Sequence, residues 1–336
     1  MSSVILIGCG RIAARHGYVV NEIDGLDLLS VCDVIPERAE IMAGKYNVPW
    51  GCDMHSLVLH SQPDIISVLT PSGLHATHVI ELAKYGIPII VEKPMALTLA
   101  DADRMIAECE RYNTPLFVVK QNRFNKPIVL LKEAISTGSF GELISATVCV
   151  RWCRGDSYYS DWHGTWEMSG GVLANQASHH IDLLQWMMGE PGSVFAYDRS
   201  VGTPVENILM GVVQFKSGSL GSIEVTTATR PKDTEGSLTI LGTKGMVKVG
   251  GFACNELVTW QFEDEPDIDV SEYVENPPNV YGFGHRAYYE HVLDGSAVGG
   301  RESRKGLALT IALYQSVEEH REVRLGSMPY SSRLGR

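Results

Sequence analysis

The first 120 residues alternate short apolar runs with longer stretches in which apolar positions recur every three or four residues. The short runs predict buried strands, and the longer stretches predict helices between them. The expected strands are Ser3–Gly8, Leu28–Asp33, Ile65–Leu69, Ile87–Glu92 and Leu116–Val119, and the expected helices are Arg11–Ile23, Pro36–Tyr46, His75–Tyr85 and Leu99–Tyr112. This alternation predicts a doubly wound parallel α/β domain over residues 1–120, because parallel strands need crossover connections.

After residue 120 the pattern changes to strand-like runs, several of which follow one another without an intervening helix. The expected strands are Leu143–Trp152, Met210–Phe215, Ser219–Thr227, Ser237–Leu241, Met246–Val249 and Leu257–Phe262, and the expected helices are Pro127–Thr137, Ala177–Met188, Arg286–Leu293 and Glu302–Glu319. The turns at 216–218 and 242–245 predict hairpins. We therefore expect residues 121–336 to form an α+β domain with an open-faced, mostly antiparallel sheet. Its uncovered face is a candidate surface for oligomer formation.

Composition narrows the class of protein. The chain has 336 residues, enough for two domains, and its 40 acidic against 28 basic residues give a net charge of −12. That excess disfavours a nucleic acid or an anionic membrane as the main partner, because both attract basic surfaces. No apolar run has the length of a membrane helix. The seven scattered cysteines are typical of reduced thiols, so we expect a cytoplasmic protein.

A glycine-rich turn joins the first strand to the first helix. Its sequence, Gly8-Cys9-Gly10-Arg11-Ile12-Ala13, has the spacing of a dinucleotide-binding turn, in which glycines let a pyrophosphate approach the helix N-terminus. Asp33 ends the second strand, where a carboxylate accepts the adenosine ribose hydroxyls and favours NAD over NADP. We predict a Rossmann domain that binds NAD, with Gly8, Gly10, Arg11, Ile12 and Asp33 at the cofactor. The nearby Arg38 leaves NADP as the alternative.

The ends of the next two parallel strands supply further candidates, because such ends line the ligand crevice. Thr70, Ser72 and His75 follow the third strand and are predicted cofactor contacts, although Ser72 equally suits a helix cap. Glu92 and Lys93 end the fourth strand, before a proline that fixes the backbone and permits a cis bond. A lysine at this position is suited to stabilise alkoxide character on a reacting hydroxyl or to act as a base, although a surface lysine is the alternative.

The segment 162–182 combines two tryptophans, a glycine pair and a helix start rich in polar side chains. Asn175 and His179 are four residues apart and share one face if the helix already runs there. Asp182 is spaced to orient the imidazole of His179, which is our candidate base for an alcohol. His180 is expected to be a packed or a solvated histidine without a catalytic role. A His-x-x-Asp pair also suggests a metal, but no third ligand stands at a useful spacing, so we expect none.

These motifs resemble the Gfo/Idh/MocA family of nicotinamide-dependent sugar and inositol oxidoreductases over nearly the whole chain. The resemblance rests on Gly8–Ala13, Asp33, Glu92-Lys93-Pro94, and the glycine pair that leads to His179. It implies that Lys93 and His179 act at the reacting carbinol. Many members carry aspartate where this chain has Asn175.

Four motifs are similar to the UDP-N-acetylglucosaminuronate 3-dehydrogenase group within that family: residues 120–125, 162–166, 175–179 and 282–285. The group has asparagine at the position of Asn175. It oxidises the sugar C3 hydroxyl on the way to bacterial surface polysaccharide, and the family forms dimers or tetramers. By this resemblance we expect Gln121 at the cofactor and Arg123, Trp166, Asn175, Gln176 and His179 at the sugar. Arg123 is our choice for an anionic group, with a surface arginine as the alternative.

Other functions remain open at this point. The second hypothesis is a dehydrogenase or ketoreductase for another sugar, an inositol or another nucleotide sugar, since one fold supports many substrates. An NAD-dependent glycosidase and a catalytically silent NAD-binding regulator are further alternatives. The sequence leaves undecided whether NADH leaves or is reoxidised in place by an acid such as 2-oxoglutarate.

Overall fold

The structure, a computed structural model, describes residues 1–264, 266, 268–277, 282–326 and 332–336. Its strands are β1 (Ser2–Ile7), β2 (Leu26–Cys32), β3 (Trp50–Gly51), β4 (Ile65–Val68), β5 (Ile89–Val91), β6 (Leu116–Val118), β7 (Leu143–Arg151), β8 (Pro191–Arg199), β9 (Ile208–Phe215), β10 (Leu220–Thr226), β11 (Glu235–Gly242), β12 (Gly245–Gly250), β13 (Glu256–Phe262) and β14 (Val323–Arg324). Its α-helices are α1 (Ala13–Glu22), α2 (Pro36–Tyr46), α3 (Met54–Ser61), α4 (His75–Ala83), α5 (Leu99–Arg111), α6 (Lys126–Thr137), α7 (Ser178–Met188), α8 (His285–Leu293) and α9 (Gly300–Glu319).

The chain divides into two compact units, each of which is discontinuous in sequence. The first contains Met1–Ala96, Ala100–Val119 and His285–Arg304, and the second contains Leu97–Leu99, Lys120–Gly284 and Lys305–Arg336. The first unit therefore includes a late segment, His285–Arg304, in addition to the early part of the chain. A single domain boundary after residue 120 stays a prediction.

The first unit holds a six-stranded parallel sheet in the order β3-β2-β1-β4-β5-β6. Strands β4 and β5 are buried throughout, which explains their continuous apolar sequences, because both faces of a parallel sheet carry helices. The strand order reverses between β1 and β4. A ligand crevice is expected outside the carboxyl ends of the strands at such a reversal.

Two helices of this unit begin in different ways. Helix α2 begins at Pro36, which needs no backbone donor there, and ends at Asn47 in the left-handed conformation with φ of 55°. Helix α1 has Ile12 at its N-cap, and no side chain caps it there. Its first backbone N–H groups therefore lack the side-chain acceptor that a polar cap residue would provide.

The second unit holds an eight-stranded sheet in the order β13-β12-β11-β7-β10-β9-β8-β14. Strands β7 and β10 pair in parallel, and the other neighbours are antiparallel, including the two predicted hairpins β9–β10 and β11–β12. The expected fold, a parallel doubly wound domain followed by a mostly antiparallel sheet, is thereby confirmed. Met210, Val212 and Leu220 are more than half exposed, so one sheet face carries apolar side chains in contact with solvent.

The structure adds four elements to those expected: β3, α3, β8 and β14. Helix α3 escapes the apolar pattern because it is short, but Asp53 caps it by accepting a hydrogen bond from the Ser56 N–H at 2.6 Å. Strand β14 has only two residues and pairs with β8 at the sheet edge. Within the described ranges, none of the helices has the length and apolarity needed to span a membrane.

Candidate active site

The glycine-rich turn of the first unit is shaped by backbone contacts. Gly8 has a φ of +99°, and a Cβ atom there would lie 2.8 Å from the backbone of Leu69, so only glycine fits. Gly10 differs, because a Cβ atom there would meet nothing within 4 Å. The turn therefore leaves open space beside Gly10, next to the N-terminus of α1. Such a space suits the phosphates of a dinucleotide.

Asp33 follows β2 and is fixed by the same turn. One carboxylate oxygen accepts the Cys9 N–H at 2.8 Å, and the other accepts the Ile35 N–H at 2.9 Å. A carboxylate has about four acceptor sites, so both oxygens keep capacity for the ribose hydroxyls of a nucleotide. The residues present thus fit NAD. Arg11 is exposed at the turn, and Ile12 is half-buried.

The loop after β4 carries Thr70, Ser72 and His75. Ser72 is buried and begins a 3₁₀ turn that runs into α4. The Thr70 hydroxyl lies 2.9 Å from Nδ1 of His78. His75 is buried, with Nε2 lying 2.8 Å from the Thr70 carbonyl oxygen and Nδ1 lying 2.8 Å from the Pro94 carbonyl oxygen. Both ring nitrogens of His75 therefore contact backbone of this unit, and contact with the cofactor stays a prediction.

Glu92 and Lys93 follow β5, and the Lys93–Pro94 peptide is cis. Oε2 of Glu92 accepts the Lys93 N–H at 2.9 Å, and Oε1 lies 3.1 Å from Nε2 of His16. Burial alone would raise the pKa of Glu92. A hydrogen bond from His16, the His285 ring with its Nε2 3.9 Å from Oε1, and the charge of Lys93 outweigh it, so the pKa lies well below its usual range. The carboxylate is thus an anion that anchors the backbone of Lys93.

His16 and Tyr289 carry no local signal in the sequence, and His285 entered only as the last residue of the 282–285 motif. His16 Nδ1 lies 2.8 Å from the Tyr289 hydroxyl, and the His285 ring stands edge-on to His16 with centroids 5.2 Å apart. Atoms of His16, Glu92 and His285 lie within 4.8 Å of one another. These residues come from α1, the end of β5 and α8, so only tertiary structure brings them together.

His179 lies in the second unit, on the first turn of α7, and is buried. The Gln121 side-chain amide nitrogen lies 3.0 Å from its Nε2. An amide N–H donates only to an unprotonated ring nitrogen, so this arrangement corresponds to a neutral imidazole with its proton on Nδ1. Gln121, predicted at the cofactor, thus has a contact with the candidate base inside this unit.

Asn175 precedes α7, which begins at Ser178, so the two candidate residues do not share a regular helix face. Its amide nitrogen donates to the Ser169 hydroxyl at 2.5 Å, and its backbone N–H donates to the Gly171 carbonyl at 3.1 Å. The side chain is half-buried. Asn175 is therefore oriented by the glycine-pair turn rather than by the helix.

That turn is held by a buried acid which the sequence analysis missed. Oε1 of Glu206 accepts the Leu173 N–H at 3.0 Å and the Tyr314 hydroxyl at 2.7 Å, and the Glu206 carbonyl accepts the Val172 N–H at 2.9 Å. Any Cβ atom at Gly171 would clash with Glu206. Burial raises the pKa of Glu206 to about 8, so the side chain is protonated at neutral pH.

The spacing of Asp182 suggested that it orients His179, but in the structure it binds other residues. Its carboxylate binds the Arg123 guanidinium through two hydrogen bonds of 2.7 and 2.9 Å, and Lys120 Nζ lies 3.2 Å away. Burial opposes ionisation of Asp182, but the two cations lower its pKa below the usual range. All three side chains are buried, and Arg123 also lies over the Trp186 ring at 4.5 Å. Anion binding by Arg123 stays a prediction.

Trp166, Gln176 and His180 also lie in this unit. Trp166 is half-buried, with the Arg333 guanidinium 4.0 Å above its ring. Gln176 is buried, and its Oε1 has no hydrogen-bond partner among the residues that the structure describes. His180 packs edge-on against Trp152, and burial lowers its pKa to about 4, as expected for a packed histidine.

Two protein-family models match this chain, and together they show the family to which it belongs. Residues 2–120 match the model described as the oxidoreductase family, NAD-binding Rossmann fold, and residues 132–325 match its C-terminal alpha/beta domain. The chain belongs to the Gfo/Idh/MocA oxidoreductase family. It is an NAD-dependent dehydrogenase, as the resemblance to this family implied, and NAD is the cofactor that the Gly8–Ala13 turn and Asp33 predicted.

Individual relatives cover almost the whole chain of this family member. The WlbA dehydrogenase from Bordetella pertussis, solved with NADH and UDP-GlcNAcA, is 37% identical with a TM-score of 0.92, covering 97% of this chain and 98% of its own. WlbA from Chromobacterium violaceum, solved with the same two ligands, is 39% identical with a TM-score of 0.89, covering 96% of each chain. A myo-inositol 2-dehydrogenase from Thermotoga maritima is 29% identical over 95% of this chain and 97% of its own.

Proposed function

We propose that this protein uses NAD to oxidise the C3 hydroxyl of UDP-linked N-acetylglucosaminuronic acid to the 3-keto sugar. The observation that carries this proposal is the likeness to the Bordetella pertussis WlbA, 37% identical with a TM-score of 0.92 and solved with NADH and UDP-GlcNAcA. The Asn175–His179 motif supports it, since asparagine rather than aspartate stands at that position in the dehydrogenases which the sequence resembles. The product would serve the synthesis of bacterial surface polysaccharide.

The chemistry divides between the cofactor and the protein side chains. NAD, when bound, supplies the acceptor for the hydride that leaves the sugar carbon. His179 takes the hydroxyl proton on Nε2, so the substrate hydroxyl must replace the Gln121 amide, which donates a hydrogen bond to that nitrogen in this structure. Lys93 stabilises the negative charge that develops on the sugar oxygen, and Glu92 fixes its backbone. Asn175 and Gln176 orient the sugar, and Trp166 lines its pocket.

The anionic groups of the substrate need basic partners, although the protein is acidic as a whole. Lys120 and Arg123 are both buried, and both contact the carboxylate of Asp182, so two cationic side chains lie together in this cluster. We assign the uronate carboxylate or the diphosphate to this cluster. The guanidinium of Arg123 binds Asp182 through two of its N–H groups, so its orientation in the cluster is fixed.

The test is absorbance at the NADH band after mixing the protein with NAD and UDP-N-acetylglucosaminuronic acid, with and without 2-oxoglutarate. We expect sugar-dependent reduction, and the oxoacid shows whether NADH is recycled in place. Lys93→Met should lower turnover by roughly 100- to 10,000-fold while leaving NAD binding intact, since it removes a group that acts on the proton and charge of the reacting hydroxyl. Wild-type turnover in this variant would contradict the assigned role.

A second candidate is a dehydrogenase for an inositol or another sugar, which the Thermotoga maritima relative favours at 29% identity. Titration calorimetry with UDP separates the two, because a nucleotide-sugar enzyme binds the nucleotide part by itself. Binding of UDP with no reduction by the uronic acid would point to another nucleotide sugar. NAD binding with no reduction across a panel of sugars would point to a silent regulator.

We also propose that the protein forms a homodimer or homotetramer through the exposed sheet face. Tyr197, Met210, Val212 and Leu220 place apolar surface there, with exposed fractions of 64%, 56%, 55% and 57%. Light scattering after size exclusion should give a multiple of 36.9 kDa. Val212→Glu should reduce it to one chain mass, whereas a monomeric wild-type protein would refute this assembly.

A further inference from the structure

His75 connects two loops of the first unit through its two ring nitrogens. Nδ1 lies 2.8 Å from the Pro94 carbonyl oxygen, and Nε2 lies 2.8 Å from the Thr70 carbonyl oxygen. The ring is almost completely buried, at 1% exposure, so water does not compete for either contact. Because a neutral imidazole carries one N–H and an imidazolium carries two, at least one of the two carbonyls receives a hydrogen bond in every protonation state.

The backbone on the N-terminal side of Lys93 is held by a different side chain, that of Glu92. The Lys93 N–H donates to Glu92 Oε2 at 2.9 Å, and Glu92 Oε1 lies 3.1 Å from His16 Nε2. His16 in turn contacts the Tyr289 hydroxyl at 2.8 Å. The backbone around Lys93 is therefore fixed at two points. The Lys93 N–H binds Glu92, and the carbonyl of the next residue, Pro94, contacts His75. Only the second of these contacts depends on His75.

We propose that His75 is a positioning residue for Lys93, acting through its Nδ1 contact with the Pro94 carbonyl rather than by touching the cofactor. A lysine acts on a developing charge only from a fixed position, and a displacement of about 1 Å can cost about 100-fold in rate. The importance of Lys93 in turnover rests on the proposed function. The structural part of the inference, that His75 fixes the lysine, does not.

The chain offers isosteric variants that separate the two contacts. The amide nitrogen of asparagine takes the place of Nδ1, so His75→Asn retains the donor to Pro94. The amide nitrogen of glutamine takes the place of Nε2, so His75→Gln retains the donor to Thr70 and loses the one to Pro94. His78→Asn is the matched control, since His78 lies on the same helix and contacts the Thr70 hydroxyl.

Two measurements are made on each full-length variant. The first is the rate at which acetic anhydride labels Lys93, measured by mass spectrometry relative to Lys216, whose side chain is 54% exposed. This readout needs no sugar. The second is the single-turnover rate of NAD reduction by UDP-N-acetylglucosaminuronic acid, together with the NAD dissociation constant.

We expect His75→Gln to change the relative labelling of Lys93 and to slow reduction by roughly 10- to 100-fold, with little change in NAD affinity. His75→Asn should recover most of the labelling and rate that His75→Gln loses, and the control His78→Asn should match the wild type. Equal losses in both His75 variants would mean that the ring only packs, and a loss in His75→Asn alone would assign the role to Thr70. Either result, or no change in any variant, would overturn the inference.

The failure of the proposed function looks different. If the wild-type protein does not oxidise the sugar but His75→Gln alone alters Lys93 labelling, the substrate assignment is wrong and the positioning role stands. If the sugar is oxidised and Lys93 labelling is the same in all variants, the substrate assignment stands and the role of His75 is refuted.

Discussion

The turn at Gly8–Ala13 and the turn at Gly170–Ala177 both lead into a helix, but they are built from different parts of the chain. In the first, the backbone determines the shape, since Gly8 lies against the Leu69 backbone and the N-terminus of α1 follows. In the second, a buried side chain determines it, since Glu206 binds the backbone of Val172 and Leu173. The first turn presents backbone N–H groups, whereas the second presents side chains such as Asn175.

The difference follows from what each turn is expected to bind. A pyrophosphate is the same in every dinucleotide, so backbone N–H groups, which every residue except proline supplies, suffice for it. Sugars differ in the placement of their hydroxyls, and side chains must distinguish them. Side chains keep their orientation only when buried groups hold them, which makes the second unit depend on the polar clusters around Glu206 and Asp182. Substitutions should therefore act locally in the first turn and at a distance in the second unit.

The largest effect is expected at Asp182. Asp182→Asn leaves the buried Lys120 and Arg123 without their counter-charge, so the free energy of unfolding should fall by roughly 3–5 kcal/mol in urea titrations. Asp264→Asn is the control, because that carboxylate pairs with Lys244 on the surface and is 75% exposed. Its removal should cost less than about 1 kcal/mol. Equal stability of Asp182→Asn and the wild type would show that this cluster is not a structural support.

Substitutions of Gly8 and Gly10 test whether the backbone determines the shape of the first turn and its binding of NAD. Gly8→Ala places a Cβ atom 2.8 Å from the Leu69 backbone at a φ of +99°, so both the free energy of unfolding and NAD affinity should fall. The conformational cost alone is about 1–2 kcal/mol. Gly10→Ala meets no protein atom within 4 Å, so NAD affinity should fall while stability is unchanged.

Urea unfolding and fluorescence titration with NAD measure the two quantities separately. Full NAD affinity in Gly10→Ala would mean that no phosphate approaches this residue. The first turn would then not be an example of ligand binding by backbone groups.

The last prediction concerns the pH dependence of stability, whose effect is small only when it is measured over a single pH unit. Burial raises the pKa of Glu206 from 4.5 to about 8, so its contribution to stability is complete below pH 4.5 and is lost as pH rises through about 8. Glu206→Gln removes this titration. Between pH 4.5 and about 8, the free energy of unfolding of the wild type should therefore fall, relative to that of the variant, by about 1.4 kcal/mol per pH unit.

Urea titrations at several pH values between 5 and 8 provide the measurement. Glu190→Gln serves as the control, because Glu190 is 70% exposed and pairs with Lys216 on the surface. Parallel pH profiles for wild type and Glu206→Gln would show that Glu206 is ionised in the folded protein.

The features that the sequence predicts are those encoded locally. The Gly8–Ala13 turn, Asp33 and Glu92-Lys93-Pro94 are each recognisable from a few neighbouring residues and their strand or helix. The same holds for the hairpin at 216–218, which the register of β9 and β10 confirms. Local patterns of this kind predict the two sheets and their order of elements because apolar periodicity reports which faces are buried.

The contacts that the sequence does not predict join distant parts of the chain. Glu206 is far from Leu173 and Tyr314 in sequence, and its burial gives no local signal. Asp182 was expected to orient His179 from spacing alone, but it binds Arg123, which lies on another element. Gln121 was placed at the cofactor, and its contact with His179 also depends on tertiary packing. A charged residue in an apolar stretch, such as Asp182 in α7, is the one signal that points to a buried ion pair.

The late segment His285–Arg304 has a consequence for how the first unit is made. Helix α8 supplies Tyr289 to His16, which supports Glu92 beside Lys93. On the ribosome this helix emerges after β7 to β13 have been synthesised, a delay on the order of ten to thirty seconds at bacterial or eukaryotic rates of elongation. During that time the nascent NAD-binding sheet lacks α8, so His16 has no contact with Tyr289. A chain terminated before His285 would contain every strand of that sheet and still lack the tyrosine that completes it.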